Sequence, residues 1–233
     1  MKYILKIRRR ERGSETDYFQ SFFYEPQSES DTAATALESL GKCDTLTDIN
    51  GEPARKIEWE RSCLQQKCGA CAMVINGRPQ LACAAVLAEF KSSEVLIEPL
   101  RKFPTVCDLI VDRTTLFENL KIMKLWLNDD ADRREKLQEL AYRSSECIQC
   151  GCCLEVCPNF YVGGRFFGMS TVPITTRLLS EMPKQKRKEI MKLYDRHTFA
   201  GCGKSLACSN TCPKKIDTEE LLVNVNRLRR KEE

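Results

Sequence analysis

The sequence predicts an α+β protein with two domains, a β-rich domain of residues 1–104 followed by an all-α domain of residues 105–233. Three observations support this prediction. Short apolar segments separated by turn residues fill the first hundred positions, which is typical of β-strands. After Pro104, apolar residues recur every three or four positions, which is typical of amphipathic helices. Most of the fourteen cysteines form one group in the first part and two related groups in the second.

The N-terminal part is expected to be a twisted sheet crossed by one helix, an arrangement called a β-grasp. Residues 2–8 and 17–25 are rich in Ile, Tyr and Phe and flank a polar turn, so they predict a β-hairpin. Asp31 is the expected N-cap of a helix that ends at Gly41. A further strand is expected around residues 54–59, ahead of the first cysteine group.

Charge and hydropathy exclude several classes of function. The chain has 37 basic and 33 acidic residues, and its basic clusters lack interleaved aromatic residues, so no nucleic-acid partner is expected. No secretory signal is visible at the N-terminus, so metal ligation is a better interpretation of the cysteines than disulfides. The longest apolar run, Leu81–Ala88, is far shorter than the roughly 18–20 residues that cross a bilayer.

The first cysteine group has the spacing of a plant-type [2Fe–2S] ferredoxin centre. Cys63, Cys68 and Cys71 follow the pattern C-x4-C-x2-C, and eleven residues separate Cys71 from Cys83. Two irons bridged by two sulfides need four thiolates, and one tight loop can supply three of them. An Asn76-Gly77 hairpin turn is expected to return the chain to Cys83. The alternative is a four-cysteine zinc site, whose ligands usually arrive as two short pairs.

The second part is expected to be helical around its cysteines, like a bacterial ferredoxin with added helices. Its first helix starts near Thr114, carries apolar residues at three- and four-residue spacing through Leu127, and is broken by residues 128–132. The further helices are expected at Arg133–Tyr142, at Ile174–Glu181, at Lys184–Tyr194, and from an Asp217 N-cap to about Arg230.

The stretch from Cys147 to Pro158 recurs 55 residues later, from Cys202 to Pro213. Two runs of C-x2-C-x2-C-x3-C-P are the signature of two cubane clusters, in which the fourth cysteine of each run ligates the cluster of the other. The repeat therefore predicts two sites with crossed ligands. The first is a [4Fe–4S] cluster on Cys147, Cys150, Cys153 and Cys212, and the second holds Cys157, Cys202 and Cys208.

The second site lacks one thiol, because Ser205 stands where the repeat requires the counterpart of Cys150. A cube corner without a thiolate loses its iron readily, so a [3Fe–4S] cluster is predicted. A hydroxyl is a poor ligand until it is deprotonated, as metal ligands must be. The alternative is a [4Fe–4S] cluster with serine or water as its fourth ligand.

The remaining cysteines and the single histidine are not expected to bind metal. Cys152 is predicted to be a buried free thiol, because only Cys153 matches Cys208 in the repeat. Cys43 and Cys107 fit no ligand spacing and are expected to be small core residues. His197 is expected to be an ordinary loop or helix-end residue, since a Rieske centre needs two histidines.

A plant-type [2Fe–2S] domain followed by paired cysteine runs that lack one ligand resembles the iron–sulfur subunit of succinate dehydrogenases and fumarate reductases. The resemblance extends over nearly the whole chain. The segments that carry it are Arg61-Ser-Cys63, Cys68-Gly-Ala-Cys71-Ala-Met-Val-Ile-Asn-Gly77, Leu81-Ala-Cys83, Glu98-Pro-Leu, Asp108-Leu-Ile-Val-Asp112 and Lys121-Ile-Met-Lys-Leu-Trp126.

The resemblance implies an electron-transfer subunit of an oxidoreductase, with no substrate site of its own and with [2Fe–2S], [4Fe–4S] and [3Fe–4S] clusters on the cysteines assigned above. The implied partners are an FAD-containing subunit that interconverts succinate and fumarate and a membrane anchor, haem-bearing or not, that handles quinone. The implied location is the cytoplasmic face of the membrane, where the partner subunits hold the chain.

Two positions differ from the quinone-reactive relatives. Many of those carry a His directly after the first cysteine of the second run and a Trp after the first Cys-Pro, where this chain has Gly203 and the segment 159–162. A quinone pocket formed by this chain is therefore not expected. Two alternatives stay open: quinone chemistry belongs to a haem-bearing anchor, with this chain only passing electrons, or the final donor is not a quinone. The alternative functions are the iron–sulfur subunit of another flavin dehydrogenase or of a thiol-linked fumarate reductase, and a zinc-stapled interaction protein.

Overall fold

The computed structural model describes residues 2–126 and 138–232. The chain divides into two compact units, Met1–Asp112 and Arg113–Glu233. Three sequence-based expectations lie outside the described residues: the helical position of Leu127, the break at residues 128–132, and the start of a helix at Arg133.

The first unit contains a five-stranded mixed sheet. Its central strand runs parallel to the first strand, whereas the other neighbours are antiparallel, and the predicted hairpin of residues 2–8 and 17–25 is confirmed. Along the sheet the order is β2-β1-β5-β3-β4. The strands are β1 (Tyr3–Arg10), β2 (Asp17–Tyr24), β3 (Ala72–Ile75), β4 (Arg78–Leu81) and β5 (Glu94–Glu98).

The helix of this unit, α1 (Ala33–Lys42), has a different cap from the one predicted. Thr32 is the N-cap, and its side chain accepts a hydrogen bond from the backbone N–H of Thr35. Asp31 instead accepts hydrogen bonds from the Tyr24 hydroxyl at 2.7 Å and from the backbone N–H of Gln27 at 2.8 Å. The buried Tyr24 hydroxyl competes for the carboxylate, so the next residue caps the helix. The predicted end at Gly41 is also wrong, by one residue.

The strand expected around residues 54–59 is absent from the described chain, where this segment has no regular secondary structure. Two of its residues bind the backbone of Leu46 and Leu109, and others bind side chains. The Arg9 guanidinium donates to the carbonyl oxygens of Arg55 at 2.9 Å and of Lys56 at 3.2 Å, and the Glu58 N–H donates to Asp108 at 2.9 Å. Apolar alternation alone could not distinguish these partners from a neighbouring strand.

A buried ion pair connects the first strand with a short hairpin, β6 (Thr105–Cys107) and β7 (Ile110–Val111). The Arg9 Nε donates to Asp108 Oδ1 at 3.0 Å, and neither side chain is exposed to solvent. Arg55 adds a second contact to the same oxygen at 2.7 Å. The hairpin lies within the first unit, so the sequence-based boundary between residues 104 and 105 precedes it.

The second unit is helical around an apolar core. Its helices are α2 (Thr114–Ile122), α3 (Gln138–Ser145), α4 (Cys152–Glu155), α5 (Val172–Glu181), α6 (Lys184–Tyr194) and α7 (Thr218–Glu232). Pro183 separates α5 from α6 as expected, and the Asp217 carboxylate caps α7 by accepting from the Glu220 N–H at 2.9 Å. Four cysteines pack against the core: Cys147, Cys153, Cys208 and Cys212. In the described part of the chain, no helix combines the length and the apolar composition of a bilayer span.

We expect Asp108→Ala to lower the free energy of unfolding by about 3–5 kcal/mol, because it leaves the buried Arg9 without its counter-charge. The measurement is urea unfolding of the full chain with its clusters, followed by far-UV circular dichroism under anaerobic conditions. Burial raises the pKa of Asp108, but the hydrogen bonds from Arg9 and the Glu58 N–H outweigh it and hold the pKa below its usual value. This carboxylate therefore stabilises the fold above the ordinary carboxyl pKa, and the contribution is lost as the pH falls through the lowered one.

The control is Glu25→Gln, which removes the exposed ion pair between Lys2 and Glu25. Exposed pairs contribute at most about 1 kcal/mol, so this variant should unfold almost like the wild type. Equal effects of the two substitutions would contradict the proposed importance of the buried pair.

Candidate metal centres

The first cysteine loop directs its backbone N–H groups at sulfur. The Sγ atom of Cys63 accepts three hydrogen bonds of 3.3 Å each, from the N–H groups of Gln65, Lys67 and Cys68. The Gln66 N–H donates to Cys83 Sγ, also at 3.3 Å. Such concave arrays of N–H groups bind anions, and they surround many iron–sulfur sites.

The loop achieves this geometry through left-handed backbone conformations. The φ angles are +50° at Leu64, +59° at Gln66 and +78° at Gly69, and each such bend turns neighbouring N–H groups toward the inside of the loop. The first two residues carry side chains, for which this region of φ is uncommon. The N–H groups of Gln65 and Lys67 lower the pKa of the Cys63 thiol to about 7, which favours the thiolate that metal binding requires.

The hairpin of β3 and β4 brings the fourth cysteine to this loop. Asn76 and Gly77 have φ angles of +49° and +76°, as the predicted two-residue turn requires. The Ala82 N–H then donates to the Cys71 carbonyl oxygen at 2.9 Å, and the Sγ atoms of Cys71 and Cys83 lie 3.4 Å apart. Burial raises the pKa of Cys71 to about 12, in contrast to Cys63, whose pKa is lowered by the N–H groups of the loop.

The two later cysteine runs repeat in backbone geometry as well as in sequence. Gln149 and its counterpart Lys204 have φ angles of +50° and +55°, and Gly151 and its counterpart Leu206 have +88° and +53°. Three backbone hydrogen bonds recur with the same 55-residue shift, each from an N–H group to the carbonyl oxygen three residues earlier. The donors in the first run are Cys147, Leu154 and Phe160, and their counterparts in the second run are Cys202, Ser209 and Lys215. Of these four positions, only Gly151 could be expected from the sequence to have a positive φ angle. Gln, Lys and Leu rarely adopt this conformation.

The first run shares its surroundings with cysteines of the second run. Burial raises the pKa of Cys147 to about 11, and negative charge on Cys150 and Cys212 contributes in the same direction. Hydrogen bonds from the backbone N–H and from the side chain of Gln149 lower it. Burial also raises the pKa of Cys153, and the charges of Cys150, Cys147, Cys208 and Cys212 contribute in the same direction. The structure thus places Cys212 within electrostatic reach of Cys147 and Cys153.

Cys152 is fully buried, as the sequence predicts. Its thiol hydrogen-bonds with Cys150, and this contact together with burial raises the pKa of Cys152. The same contact lowers the pKa of Cys150 to about 7. The neutral thiol of Cys152 is therefore a donor toward the predicted ligand Cys150.

The second site contains a small cavity. Its lining includes Cys157 from the first run, Cys202 and Cys208 from the second run, and Ser205. Burial raises the pKa of Cys208, and the charges of Cys157 and Cys202 contribute in the same direction. The structure therefore brings together the three cysteines predicted for this site. Ser205 is exposed, whereas its counterpart Cys150 is buried.

Side chains of the segment that follows the first cysteine run crowd two glycines next to this cavity. A Cβ atom on Gly201 would lie 2.5 Å from the ring of Phe166 and 2.8 Å from its Cβ, which is closer than atoms pack. At Gly203 a Cβ atom would lie 3.0 Å from Nδ2 of Asn159, whose amide donates to the Gly201 carbonyl oxygen at 2.7 Å. Asn159 therefore occupies the space beside residue 203, a role that the sequence did not indicate.

The other singled-out residues are Cys43, Cys107 and His197. Cys43 is exposed at the end of α1, so its prediction as a core residue is wrong; the helix ends before the thiol reaches the interior. Cys107 is buried as expected, with its Sγ 3.2 Å from a Glu58 carboxylate oxygen. His197 lies in a π-helical turn, Asp195–Phe199, where its ring stacks on Phe167 at 4.3 Å between centroids.

The donor sets fit iron–sulfur clusters. Residues 2–126 and 138–232 contain no group of three Cys, His, Asp or Glu side chains close enough to share one metal ion. The fit to clusters rests on the all-thiol donor sets, on the N–H groups directed at sulfur in the first loop, and on the cavity lined by Cys157, Cys202 and Cys208.

Comparison with protein families identifies both halves. Residues 4–118 match a 2Fe-2S iron-sulfur cluster binding domain, and residues 143–216 match a 4Fe-4S dicluster domain. These matches establish an N-terminal [2Fe–2S] domain and a C-terminal dicluster domain. They also confirm the predicted α+β fold class.

Relatives and a solved structure agree with these matches. The succinate dehydrogenase iron-sulfur subunit of Bacillus subtilis is 34% identical over 77% of this chain and 75% of its own length. The fumarate reductase iron-sulfur subunit of Escherichia coli O6:H1 is 30% identical over 84% of this chain and 81% of its own length. A chain of the Mycobacterium smegmatis Sdh1 complex in the apo form has the same fold, with a TM-score of 0.80 and 19% identity. The match covers 100% of this chain and 97% of that chain.

The cysteine spacings, the two cluster domains and these relatives lead to one family, in which the second cluster of the dicluster domain is typically a [3Fe–4S] cluster. The chain belongs to the iron–sulfur subunits of succinate dehydrogenases and fumarate reductases, the electron-transfer subunits of these oxidoreductases.

Proposed function

We propose that this chain carries single electrons between an FAD-containing subunit that interconverts succinate and fumarate and a membrane anchor that handles quinone. Its [2Fe–2S] cluster faces the flavoprotein and its [3Fe–4S] cluster faces the anchor. The chain lies on the cytoplasmic face of the membrane and is held there by its partners. Membership of the family supports these assignments.

The proposed ligands divide among the clusters as the sequence repeat requires. The [2Fe–2S] cluster takes Cys63, Cys68, Cys71 and Cys83; the [4Fe–4S] cluster takes Cys147, Cys150, Cys153 and Cys212; the [3Fe–4S] cluster takes Cys157, Cys202 and Cys208. The observation that supports this division is that Cys157 of the first run lines a cavity with Cys202 and Cys208 of the second. Cys212 contributes to the raised pKa of both Cys147 and Cys153, and Cys208 contributes to that of Cys153 as well.

When bound, the clusters supply sites that gain and lose one electron without a proton. The residues of this chain hold the thiolates, satisfy their charge with N–H groups and shield them from water. Hydrogen bonds to sulfur and burial are two of the factors that set a cluster's potential. The three cluster sites differ in both, so we expect the chain to hold its clusters at different potentials.

Quinone reduction is assigned to the anchor. Asn159 fills the space beside Gly203, where a side chain would have to displace its amide. The same amide is engaged by the Gly201 carbonyl oxygen. This chain therefore offers no imidazole to a quinone at position 203, and its task beside the second cluster is to deliver electrons.

We expect Cys212→Ser to disrupt the [4Fe–4S] cluster and Cys157→Ser to disrupt the [3Fe–4S] cluster, although each cysteine belongs to the other run. The physical reason is the crossed ligation, since each substitution removes one of the few thiolates of its cluster. EPR spectra of the anaerobically purified complex report the two clusters separately, in the reduced and the oxidised state.

The matched control is Cys152→Ser. This thiol lies between two proposed ligands but is assigned to neither cluster, so both EPR signals should persist. Loss of the [3Fe–4S] signal in Cys212→Ser, with the [4Fe–4S] signal intact, would overturn the crossed assignment.

Replacing Ser205 by Cys should convert the second cluster from three irons to four. The serine side chain is exposed in a cavity that already contains three thiols, so a cysteine there supplies the missing thiolate. We expect the three-iron EPR signal of the oxidised protein to disappear and the iron content to rise by about one per chain. A wild-type protein without that signal would refute the [3Fe–4S] assignment.

The partners can be tested by affinity purification of the tagged chain from detergent-solubilised membranes. We expect a flavoprotein with bound FAD and an anchor subunit to co-purify, and succinate to reduce the clusters within the purified complex. A complex that lacks a flavoprotein would refute the proposal. A flavoprotein complex that exchanges electrons with thiols but not with quinone would identify the alternative enzyme.

A further inference from the structure

We propose that the side-chain amide of Gln149 is a positioning residue for the first cluster of the dicluster domain, which fixes Cys147 and raises the cluster's reduction potential. The inference rests on the proposed ligand set, because Gln149 lies between the ligands Cys147 and Cys150. It goes beyond that set by assigning a function to a side chain that is not a ligand.

The geometry places one donor between two acceptors. Gln149 Nε2 lies 3.2 Å from Cys147 Sγ and 2.9 Å from the Ser170 carbonyl oxygen. An amide nitrogen carries two hydrogens, so it can donate to both atoms at once. The Ser170 contact anchors the amide to a short helical turn, Met169–Thr171, outside the cysteine loop. The sulfur of Cys147 is thereby connected to a second segment of the fold.

The orientation of the amide follows from its partners. The Ser170 carbonyl oxygen can only accept hydrogen bonds, so it must face the NH2 group and not the amide oxygen. Among the described residues, the buried Gln149 Oε1 has no hydrogen-bond partner. A buried acceptor without a partner costs about 1–3 kcal/mol. The Ser170 carbonyl oxygen holds the amide in this orientation, in which its nitrogen also faces the sulfur of Cys147.

The second cysteine run provides an internal comparison. Lys204 is the counterpart of Gln149 in the repeat and has the same left-handed backbone, but its side chain is exposed. The backbone bend is therefore shared by both runs, whereas the buried amide is specific to the first. A purely structural need of the loop would be expected in both runs.

An N–H group directed at a ligand sulfur changes the energy of the two redox states unequally. One electron added to the cluster increases the negative charge spread over its thiolates, and no proton is taken up. The positive end of the N–H dipole stabilises that added charge, so the hydrogen bond makes reduction more favourable. Partial burial strengthens the effect because the local dielectric constant is low.

The test is an EPR-monitored redox titration of the purified complex that carries Gln149→Met. Methionine has nearly the length of glutamine but no N–H group. At the midpoint potential of the wild-type cluster, we expect the ratio of reduced to oxidised [4Fe–4S] cluster to fall about tenfold, which corresponds to about 59 mV for a one-electron couple. The other two clusters of the same sample should keep their midpoints. An unchanged [4Fe–4S] midpoint in an intact cluster would overturn the inference.

Lys204→Met is the matched control, since it changes the equivalent position of the other run. It should leave the [4Fe–4S] midpoint unchanged, and an equal shift in both variants would overturn the specific role of Gln149. If the Gln149→Met variant does not assemble its [4Fe–4S] cluster, pulsed EPR of the reduced wild type with 15N in its glutamine side chains tests the same contact. We expect a 15N coupling to the [4Fe–4S] spin, and its absence would overturn the inference. A wild type that lacks the [4Fe–4S] signal altogether would instead refute the proposed ligand set.

Discussion

Sulfur atoms that carry negative charge inside a protein need N–H donors, and the backbone of this chain bends into the left-handed region to supply them. Leu64 and Gln66 do so in the first cysteine loop, and Gln149 and Lys204 have the same left-handed backbone in the later runs. None of these residues is glycine, so each position is strained to some degree. Hydrogen bonds such as the three that Cys63 accepts offset this strain. The loops are therefore organised for the bound clusters more than for the stability of the isolated chain.

The dicluster domain shows how a duplicated motif acquires two different sites. The backbone of the two runs repeats closely, down to three equivalent hydrogen bonds. The differences lie in side chains: Cys150 is buried where Ser205 is exposed, and Gln149 donates to sulfur where Lys204 does not. A shared backbone with different side chains gives two clusters of unequal iron content and unequal environment, which suits a chain that moves electrons in sequence.

The sequence predicted those features that depend on covalent spacing. The hairpin of β1 and β2, the turn at Asn76-Gly77 and the helices after Pro158 follow from periodicity and turn residues, which are local properties. The failures involve distant partners. Asp31 is engaged by Tyr24, and the segment 54–59 is held by the side chains of Arg9 and Asp108 instead of by a strand. The amide of Gln149 belongs to the same class, because its acceptor Ser170 lies outside the motif.

Burial and hydrogen bonding act on the cysteines in opposite directions, and their balance differs from site to site. Removing a thiolate from water disfavours its charge, as the raised pKa values of Cys71 and Cys147 indicate. N–H donors favour the charge, as the lowered pKa of Cys63 indicates. Reduction of a cluster adds negative charge to the same sulfur atoms, so the same two factors act on its potential. A buried site such as that of the first cysteine run therefore gains most from an additional donor, and the amide of Gln149 is located there.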